Sequence, residues 1–568
     1  MSEMRANSRR RQRQSGVAMI LLTLMLMSVL LPMVALAIDV TMLYVVKAKL
    51  QGAVDGAVLA AGRSITGAVT LAAQTPRLQN IAQQFLNANL PQGYWGASTP
   101  QIEGSGCTSG AGCVNVIQDQ TTKKIFVTVT ASVQVPLLFA RTIWNKETNS
   151  FNSTSTVRVT GQALRRWVRL VLVLDRSNSM NTPCSPTCPI TALKDAVSNS
   201  DPSKGFVINF DESRDQLGMV IFGGSALVAY PPRDPTIADG GGGGPNGTFK
   251  TGTPNIIDQV KNNLAAGSAT GTAEALILAY KELTKNPQPL YLNAIVLFTD
   301  GMPSSFTASY NGNPAVSLYT GDSTSTGSNT VIKSTNSCKY YKYSDSTNNP
   351  IIGWMTQTAN FQNTNSAIGI FPLMQKTWYA SATSLSTDVN NWLSHPDYDY
   401  TKGVTQTNND NCNFKNNSSN PAGDLNSFPT EDLYGNKTNT ADYQASKFYH
   451  DNSIALNMNS VNNAYQIGLV SWNTAYNAAK RIRGDTTLKP TVYCIGYNGA
   501  QDLDRALMKR LANTNTGFQT WAQDSLGQYL STDYDPTSTT GRYFEAATPG
   551  AIAEAFQQVQ SEILRLSL

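Results

Sequence analysis

The sequence predicts an α/β chain: an N-terminal transmembrane helix, a small β-rich module, then a doubly wound domain broken by a large insertion. Three observations predict it. An uncharged apolar run covers Val17 to Ile38. β-Branched segments cluster between residues 113 and 162. From Trp167 onward, apolar strand-like runs alternate with helical segments. At 568 residues the chain exceeds one ordinary domain.

The N-terminal run sets the expected compartment. Arg5, Arg9, Arg10, Arg11 and Arg13 precede it. As a helix, residues 17–38 span about 33 Å, enough for a hydrocarbon core. A basic flank stays cytoplasmic. Residues 1–16 are therefore expected to be a cytoplasmic tail, with everything after Asp39 exported, periplasmic or at the surface. Ala35-Leu36-Ala37 also has the small-x-small form of a signal peptidase site. The run is longer than the roughly 7–15 apolar residues of such a signal, so an uncleaved membrane anchor is expected.

Composition narrows the function classes. Charged residues make up 14% and the net charge is +5, with no long basic stripe carrying interleaved aromatics. Nucleic acid is not an expected partner. There are two histidines, His395 and His450, so a multi-histidine zinc site is excluded and a Ser-His-Asp or Cys-His mechanism would have to use one of them. In an oxidising compartment the local pairs Cys107–Cys113, Cys184–Cys188 and Cys338–Cys412 are the expected disulfides. Cys494, in an apolar strand, is expected to be a buried free thiol.

Residues 39–90 read as an extended Ala-rich helix continuing from the membrane. Residues 91–165 read as a β-rich linker module, opening on a turn-rich break and carrying strands near Val114–Ile117, Ile125–Thr130 and Ser155–Thr160. From residue 166 to 568, continuous apolar runs at Val168–Leu174, Leu217–Phe222, Ala294–Phe298 and Thr491–Ile495 suit parallel strands covered on both faces. Helical patterns separate them at about Ile190–Phe210, Ile256–Leu264, Thr272–Thr284, Val470–Arg483, Asp502–Leu511 and Pro549–Leu564. Two insertions interrupt this order. One, about residues 231–252, holds five consecutive glycines. The other, about residues 303–460, is rich in Asn, Ser and Thr and is expected to be partly ordered. Its aromatics, among them Trp354, Trp378, Tyr379, Trp392, Tyr398 and Tyr400, form either a small core or a recognition surface.

The chemistry sits where ligands of such folds bind, at the carboxyl ends of strands. Asp175-Arg176-Ser177-Asn178-Ser179 ends the first strand, so alternate side chains converge on one point. Mg²⁺ takes about six oxygens at roughly 2.0–2.1 Å, which a carboxylate and two hydroxyls begin to supply. Ala269-Thr270-Gly271-Thr272 opens a later helix, and Phe298-Thr299-Asp300-Gly301 ends a later strand. These three stretches, in this order, resemble the metal-ion-dependent adhesion site of von Willebrand factor A domains. The resemblance covers about residues 165–568. It implies a Rossmann-like doubly wound fold and a site for Mg²⁺ or another divalent cation at Asp175, Ser177, Ser179, Thr270 and Asp300, with Thr272 supporting its loop. It also implies that the ion binds an acidic group offered by a partner protein. Tyr543–Ala547 and the helix after it match the family's final strand and closing helix.

The N-terminal region carries a second resemblance. Gly16, Asp39, Leu50, Gln51, Ala53, Asp55, Ala57, Leu59 and Ala60 follow the ordered pattern of Flp pilus-assembly TadE/TadG-like proteins, over about residues 15–62. Together the two resemblances imply a TadG-like, non-enzymatic protein that assists pilus assembly through metal-dependent protein binding, with pilus components as partners. The alternatives are a pilus-independent surface adhesin, with residues 303–460 as its specificity element, and a metal-dependent hydrolase. For the hydrolase the nearest candidate base is Glu274, for which the sequence suggests a helix-surface position.

Overall fold

A computed structural model describes the chain except residues 1, 66–70, 104–113, 140–143, 146–149, 152–153, 185–186, 233–248, 252–254, 268, 286, 311–328, 334–338, 344–350, 357–428, 439–463, 500–502, 516–532 and 565–568. Two compact units are formed, one from Met1–Ile65 and Val69–Arg165, the other from Arg166–Leu564.

The first unit is built on helix α1 (Ser2–Arg63). From Met19 onward it is long and apolar enough to cross a membrane, the one such helix among the described residues. Leu21, Leu24 and Met25 are 62–70% exposed. A helix apolar all round with no protein cover is what a bilayer accepts and water does not. After Asp39 the pattern changes to a stripe: Val46, Leu50, Ala53, Val54, Ala57, Val58 and Ala61 are buried, at helical spacing. The helix closes with turn bonds from Ser64 and Ile65 to Ala61 and Gly62. The single Ala-rich helix expected over residues 39–90 is therefore two helices. The second, α2 (Leu71–Asn89), buries Leu78, Ala82 and Leu86. Gly62 and the β-branched Ile65 and Thr66 are poor helix formers at the break.

A four-stranded sheet is part of this unit: β1 (Gln101–Glu103), β2 (Val114–Asp119), β3 (Lys124–Pro136) and β4 (Thr154–Arg166). All three expected strands are present, and each runs longer than its β-branched core. β3 is the centre. It pairs antiparallel with β1 (Gln101 opposite Ser132) and β2 (Val114 opposite Val129), and also with β4. Ile125, Val127, Val129, Ala131, Val133 and Val135 are buried at every second position, one face of the pleat. β4 lies close on α1: a side-chain carbon on Gly161 would meet Val54 Cγ1 at 2.9 Å, so glycine is required there.

The second unit is an α/β body around a six-stranded sheet. Its strands are β5 (Val168–Asp175), β6 (Gln216–Phe222), β7 (Ala226–Tyr230), β8 (Leu292–Thr299), β11 (Thr491–Tyr497) and β12 (Tyr543–Ala546). They lie in the order β12-β11-β8-β5-β6-β7, parallel except for the edge strand β7. Every residue of β5 and β6 is buried, which requires cover on both faces. The cover comes from α3 (Pro189–Ser198), α4 (Thr272–Lys285), α5 (Ala464–Arg483), α6 (Arg505–Ala512) and α7 (Ala551–Ile563).

One sequence expectation is corrected here, and strands are added at two places. The helix expected over Ile190–Phe210 ends at Ser198, because Asn199 turns extended and its side chain accepts the Asp201 N–H. Pro202 also disfavours helix at Asp201. Strand β7 was not expected. It is five residues after the turn Gly223-Gly224-Ser225, too short to show a period. The insertion after residue 303 contributes a strand pair, β9 (Ser305–Tyr310) with β10 (Ile351–Thr356), Thr307 opposite Trp354. Cys184 and Cys188 form the expected disulfide and Cys494 is buried and free. The other four cysteines, both histidines, and Trp378, Tyr379, Trp392, Tyr398 and Tyr400 lie outside the described residues.

Phe556 of α7 ties this unit together. It is fully buried, with ring centroids 5.3 Å from Phe206 and 5.9 Å from Phe298 on β8. Phe556→Ala removes this contact and leaves a cavity, so a loss of about 3–5 kcal/mol is expected in urea unfolding followed by tryptophan fluorescence. A loss below about 1 kcal/mol would show that α7 is not part of the core.

Candidate functional site

The site lies where the chain order reverses across the sheet. From β5 the chain passes to β6 on one side and later returns to β8 on the other, so the loops after β5 and β8 open a crevice. The parallel register sets Leu174 beside Phe298. Asp175 therefore stands beside Thr299, one residue short of Asp300, with no help from local sequence.

All five residues singled out in the sequence come together. Asp175 is fully buried. One carboxylate oxygen accepts the Ser177 N–H at 2.6 Å and the other accepts the Thr299 hydroxyl. The Ser177 and Ser179 hydroxyls are 2.8 Å apart, and both reach Asp300 Oδ1, at 3.4 and 2.7 Å. A carbon on Gly301 would lie 3.7 Å from Ser179 Oγ and 3.9 Å from Thr270 Oγ1, so both hydroxyls flank the Gly301 backbone. Thr272 is buried at the start of α4. Burial raises the carboxyl pKa of both Asp175 and Asp300, and the charge of Asp175 raises that of Asp300 further.

Backbone bonds hold the three loops in place. Arg176 N–H donates to Phe222 O at 2.8 Å, and Gly267 N–H donates to Arg176 O at 2.7 Å. Gly271 N–H donates to Gly223 O at 2.6 Å, and a side-chain carbon on Gly271 would meet Gly224 O at 2.8 Å. The residue between the two threonines is therefore glycine for close approach of two backbones. Sequence reasoning missed two supports. The Thr299 hydroxyl binds Asp175 directly. Ser304 holds Thr270 on both sides, its N–H donating to Thr270 O at 2.9 Å and its hydroxyl accepting the Thr270 N–H at 3.1 Å. Thr299 was legible as the neighbour of Asp300, whereas nothing in a 34-residue separation marks Ser304.

The donor set fits a hard cation. Oxygens bound cis on an ion at 2.0–2.1 Å lie about 3.0 Å apart. Ser177 Oγ, Ser179 Oγ and Asp300 Oδ1 are already held near that spacing. Among the described residues no group of three or more His, Cys, Asp and Glu side chains is placed to share a metal. The site instead has two carboxylates supplemented by hydroxyls, a set suited to Mg²⁺ and unsuited to soft metals.

Beside the site lies a third buried carboxylate. Glu274 is 2% exposed, which corrects the helix-surface position suggested by the sequence. It accepts bonds from the Ser225 hydroxyl, the Ala226 N–H, the Thr307 hydroxyl and the Tyr434 hydroxyl, at 2.8–3.0 Å. These donors come from the β6–β7 turn, β7, β9 and the insertion. The base candidate is thus spent as a structural tie.

Residues 16–64 match the family model described as putative Flp pilus-assembly TadE/G-like. No curated protein matches the chain by sequence. Among solved structures, the PilB minor pilin from Streptococcus sanguinis overlaps at TM-score 0.32 and 11% identity, covering 83% of this chain and 79% of its own. The pilus adhesin SpaC from Lactobacillus rhamnosus GG overlaps at 0.31 and 11%, covering 82% and 36%. The vWF domain of the type V pili tip protein Mfa5 from Porphyromonas gingivalis overlaps at 0.28 and 15%, covering 70% and 95%. At these scores the overlaps are loose.

Burial pushes the Glu274 carboxyl up to about 7 from an ordinary 4.5. The unfolded carboxyl ionises first as pH rises, so unfolding releases a proton between these values and stability falls with rising pH. Urea midpoints of the wild type are expected to drop between pH 5 and pH 7.5, while Glu274→Gln flattens part of that drop, by up to about 3 kcal/mol. Parallel pH dependence in both proteins would show that Glu274 does not change its charge on folding.

Proposed function

We propose that the second unit is a von Willebrand factor A-type domain that binds Mg²⁺ or another divalent cation through Ser177, Ser179, Thr270 and Asp300. Asp175 is held back by Ser177 and Thr299 and joins directly or through water. The observation that carries this reading is the convergence of two serine hydroxyls from one loop on a single carboxylate oxygen from another. The ion, when bound, supplies a coordination position for an acidic side chain of a partner protein. The chain's own part is to fix the loops: Phe222 and Gly223 hold two of them by backbone bonds, and Ser304 holds Thr270.

The whole chain then reads as a single-pass membrane protein, with the bulk of it exported, that assists assembly of a Flp-type pilus by metal-dependent binding of pilus components. The match of residues 16–64 supports the pilus assignment, and the exposed apolar stretch of α1 supports the anchor. A second reading, a pilus-independent surface adhesin, draws on the insertion. Its stem is bonded to the site, with Ser305 donating to Gly224 O and Trp354 packed over Gly224. The insertion thereby begins at the rim of the proposed ion site and could select the partner.

Two measurements test this. Mg²⁺ at about ten times its dissociation constant stabilises a folded site by about 1.4 kcal/mol, and the corresponding rise in melting temperature should vanish with chelator and in Asp300→Ala. In affinity capture, Mg²⁺-dependent partners should be lost with chelator and with Asp175→Ala. Identical capture throughout would end the metal-dependent reading. Loss of non-pilus partners alone on deleting residues 303–460 would favour the adhesin.

A further inference from the structure

The end of the first unit beside the close of the apolar run carries exposed apolar groups. Strand β3 runs down to Pro136, and the chain then turns through Leu137, Leu138 and Phe139. Leu138 and Phe139 are 48% and 45% exposed. Their backbone N–H groups donate to the two carboxylate oxygens of Asp39, at 2.9 and 3.0 Å. Asp39 is itself 1% exposed and follows Ile38, the last residue of the apolar run, directly. The turn is therefore fixed at the level where the span ends.

The geometry of the unit agrees. Gly161 sits against Val54, Asp55 and Val58 of α1, and the hydroxyls of Thr130 and Thr160 bond across the strands at 2.9 Å. From there to Leu138 is about eight strand residues, or about 26 Å. From the level of residue 56 down to Asp39 is seventeen helical residues, again about 26 Å. β3 and α1 thus descend together and reach the same height.

A third exposed apolar side chain joins them. Ser98 N–H donates to Gln134 O, Gln134 N–H donates to Ser98 Oγ, and a carbon on Gly96 would lie 3.0 Å from Pro136 Cγ. This register sets Trp95 level with Leu137. Trp95 is 59% exposed and is held at φ +51°, a left-handed conformation that disfavours bulky side chains. Tyr44, 74% exposed, stands five residues beyond Asp39 on α1, about 7.5 Å higher. Aromatic side chains at the height where an apolar span ends are the pattern of a membrane–water interface.

We infer that the Leu138-Phe139 turn, with Trp95 beside it, rests in the interfacial layer of the leaflet at the carboxyl end of the α1 span. It forms a second lipid contact clamped to the helix by Asp39. This rests on the reading of α1 as a membrane anchor. Two points of attachment fix the rotation and tilt of α1 in the bilayer, which a single helix leaves free. The exported sheet would then leave the membrane at a set angle.

The test is lipid photocrosslinking with the full chain reconstituted in phosphatidylethanolamine–phosphatidylglycerol vesicles. A diazirine amino acid is placed singly at Leu26, Leu138, Phe139 and Ile117. Ile117 is 51% exposed and pairs with Phe126, far up β3, so it serves as the aqueous reference. Lipid adducts at positions 138 and 139 are expected at about tenfold or more the Ile117 yield, equivalent to a preference of about 1.4 kcal/mol for lipid. Adducts at Leu26 with only the Ile117 level at 138 and 139 would overturn the inference and leave the anchor standing. Loss of adducts at Leu26 as well would overturn the anchor reading itself. Protein-mass adducts at 138 and 139 in place of lipid would show that a second chain covers the turn, and would also overturn the inference.

Discussion

Two carboxylates buried side by side at the ends of adjacent strands are the constraint on which the second unit depends. Asp175 and Asp300 sit where the β5–β8 register delivers them, and burial opposes the charged form of both. Like charges in a low-dielectric crevice stay there only if donors or a cation meet them. The surrounding sequence is a supply of donors: Ser177 N–H, three hydroxyls and the backbone bonds that hold them. The loops are tied together by backbone bonds, Arg176 to Phe222, Gly271 to Gly223 and Ser304 to Thr270. Gly271 allows those backbones to approach, and Gly224 leaves room for the Trp354 ring.

The insertion is joined to this arrangement from its first residues. Ser304 and Ser305 grip the Thr270 loop and Gly224, Thr356 bonds back to Ser304 O at 2.9 Å, and Trp354 covers Gly224. Glu274 then ties β7, β9 and Tyr434 to the first turn of α4. A long polar excursion would otherwise add conformational entropy at the crevice. Bonded in this way, its stem becomes part of the wall. Trp354, which the sequence leaves open between core and recognition surface, is core.

The first unit repeats the theme with one acid. Asp39 ends an apolar span, a place where an unpaired carboxylate would be costly, and two backbone N–H groups nearly a hundred residues away satisfy it. The same residue stands in the pattern that matched the N-terminal family, so a position legible as a sequence marker proves to be a tertiary contact.

The sequence by itself determined whatever is periodic or local. The apolar run, the strands at 168–174, 217–222, 294–298 and 491–495, the closing helix with Phe556 on its buried face, and the Cys184–Cys188 pair follow from spacing and short-range chemistry. The five candidate site residues were also named from the sequence, because two strand ends and one helix start carry their motifs in order. Tertiary structure decided the rest. It split the Ala-rich helix at Ser64, added β7 at the edge, buried Glu274, and brought Ser304 to Thr270, Thr299 to Asp175 and Leu138 to Asp39. The last three contacts join groups far apart in the chain, through a pairing register or a loop end. Such contacts exist only once the sheet has formed, and no local pattern of side chains encodes them.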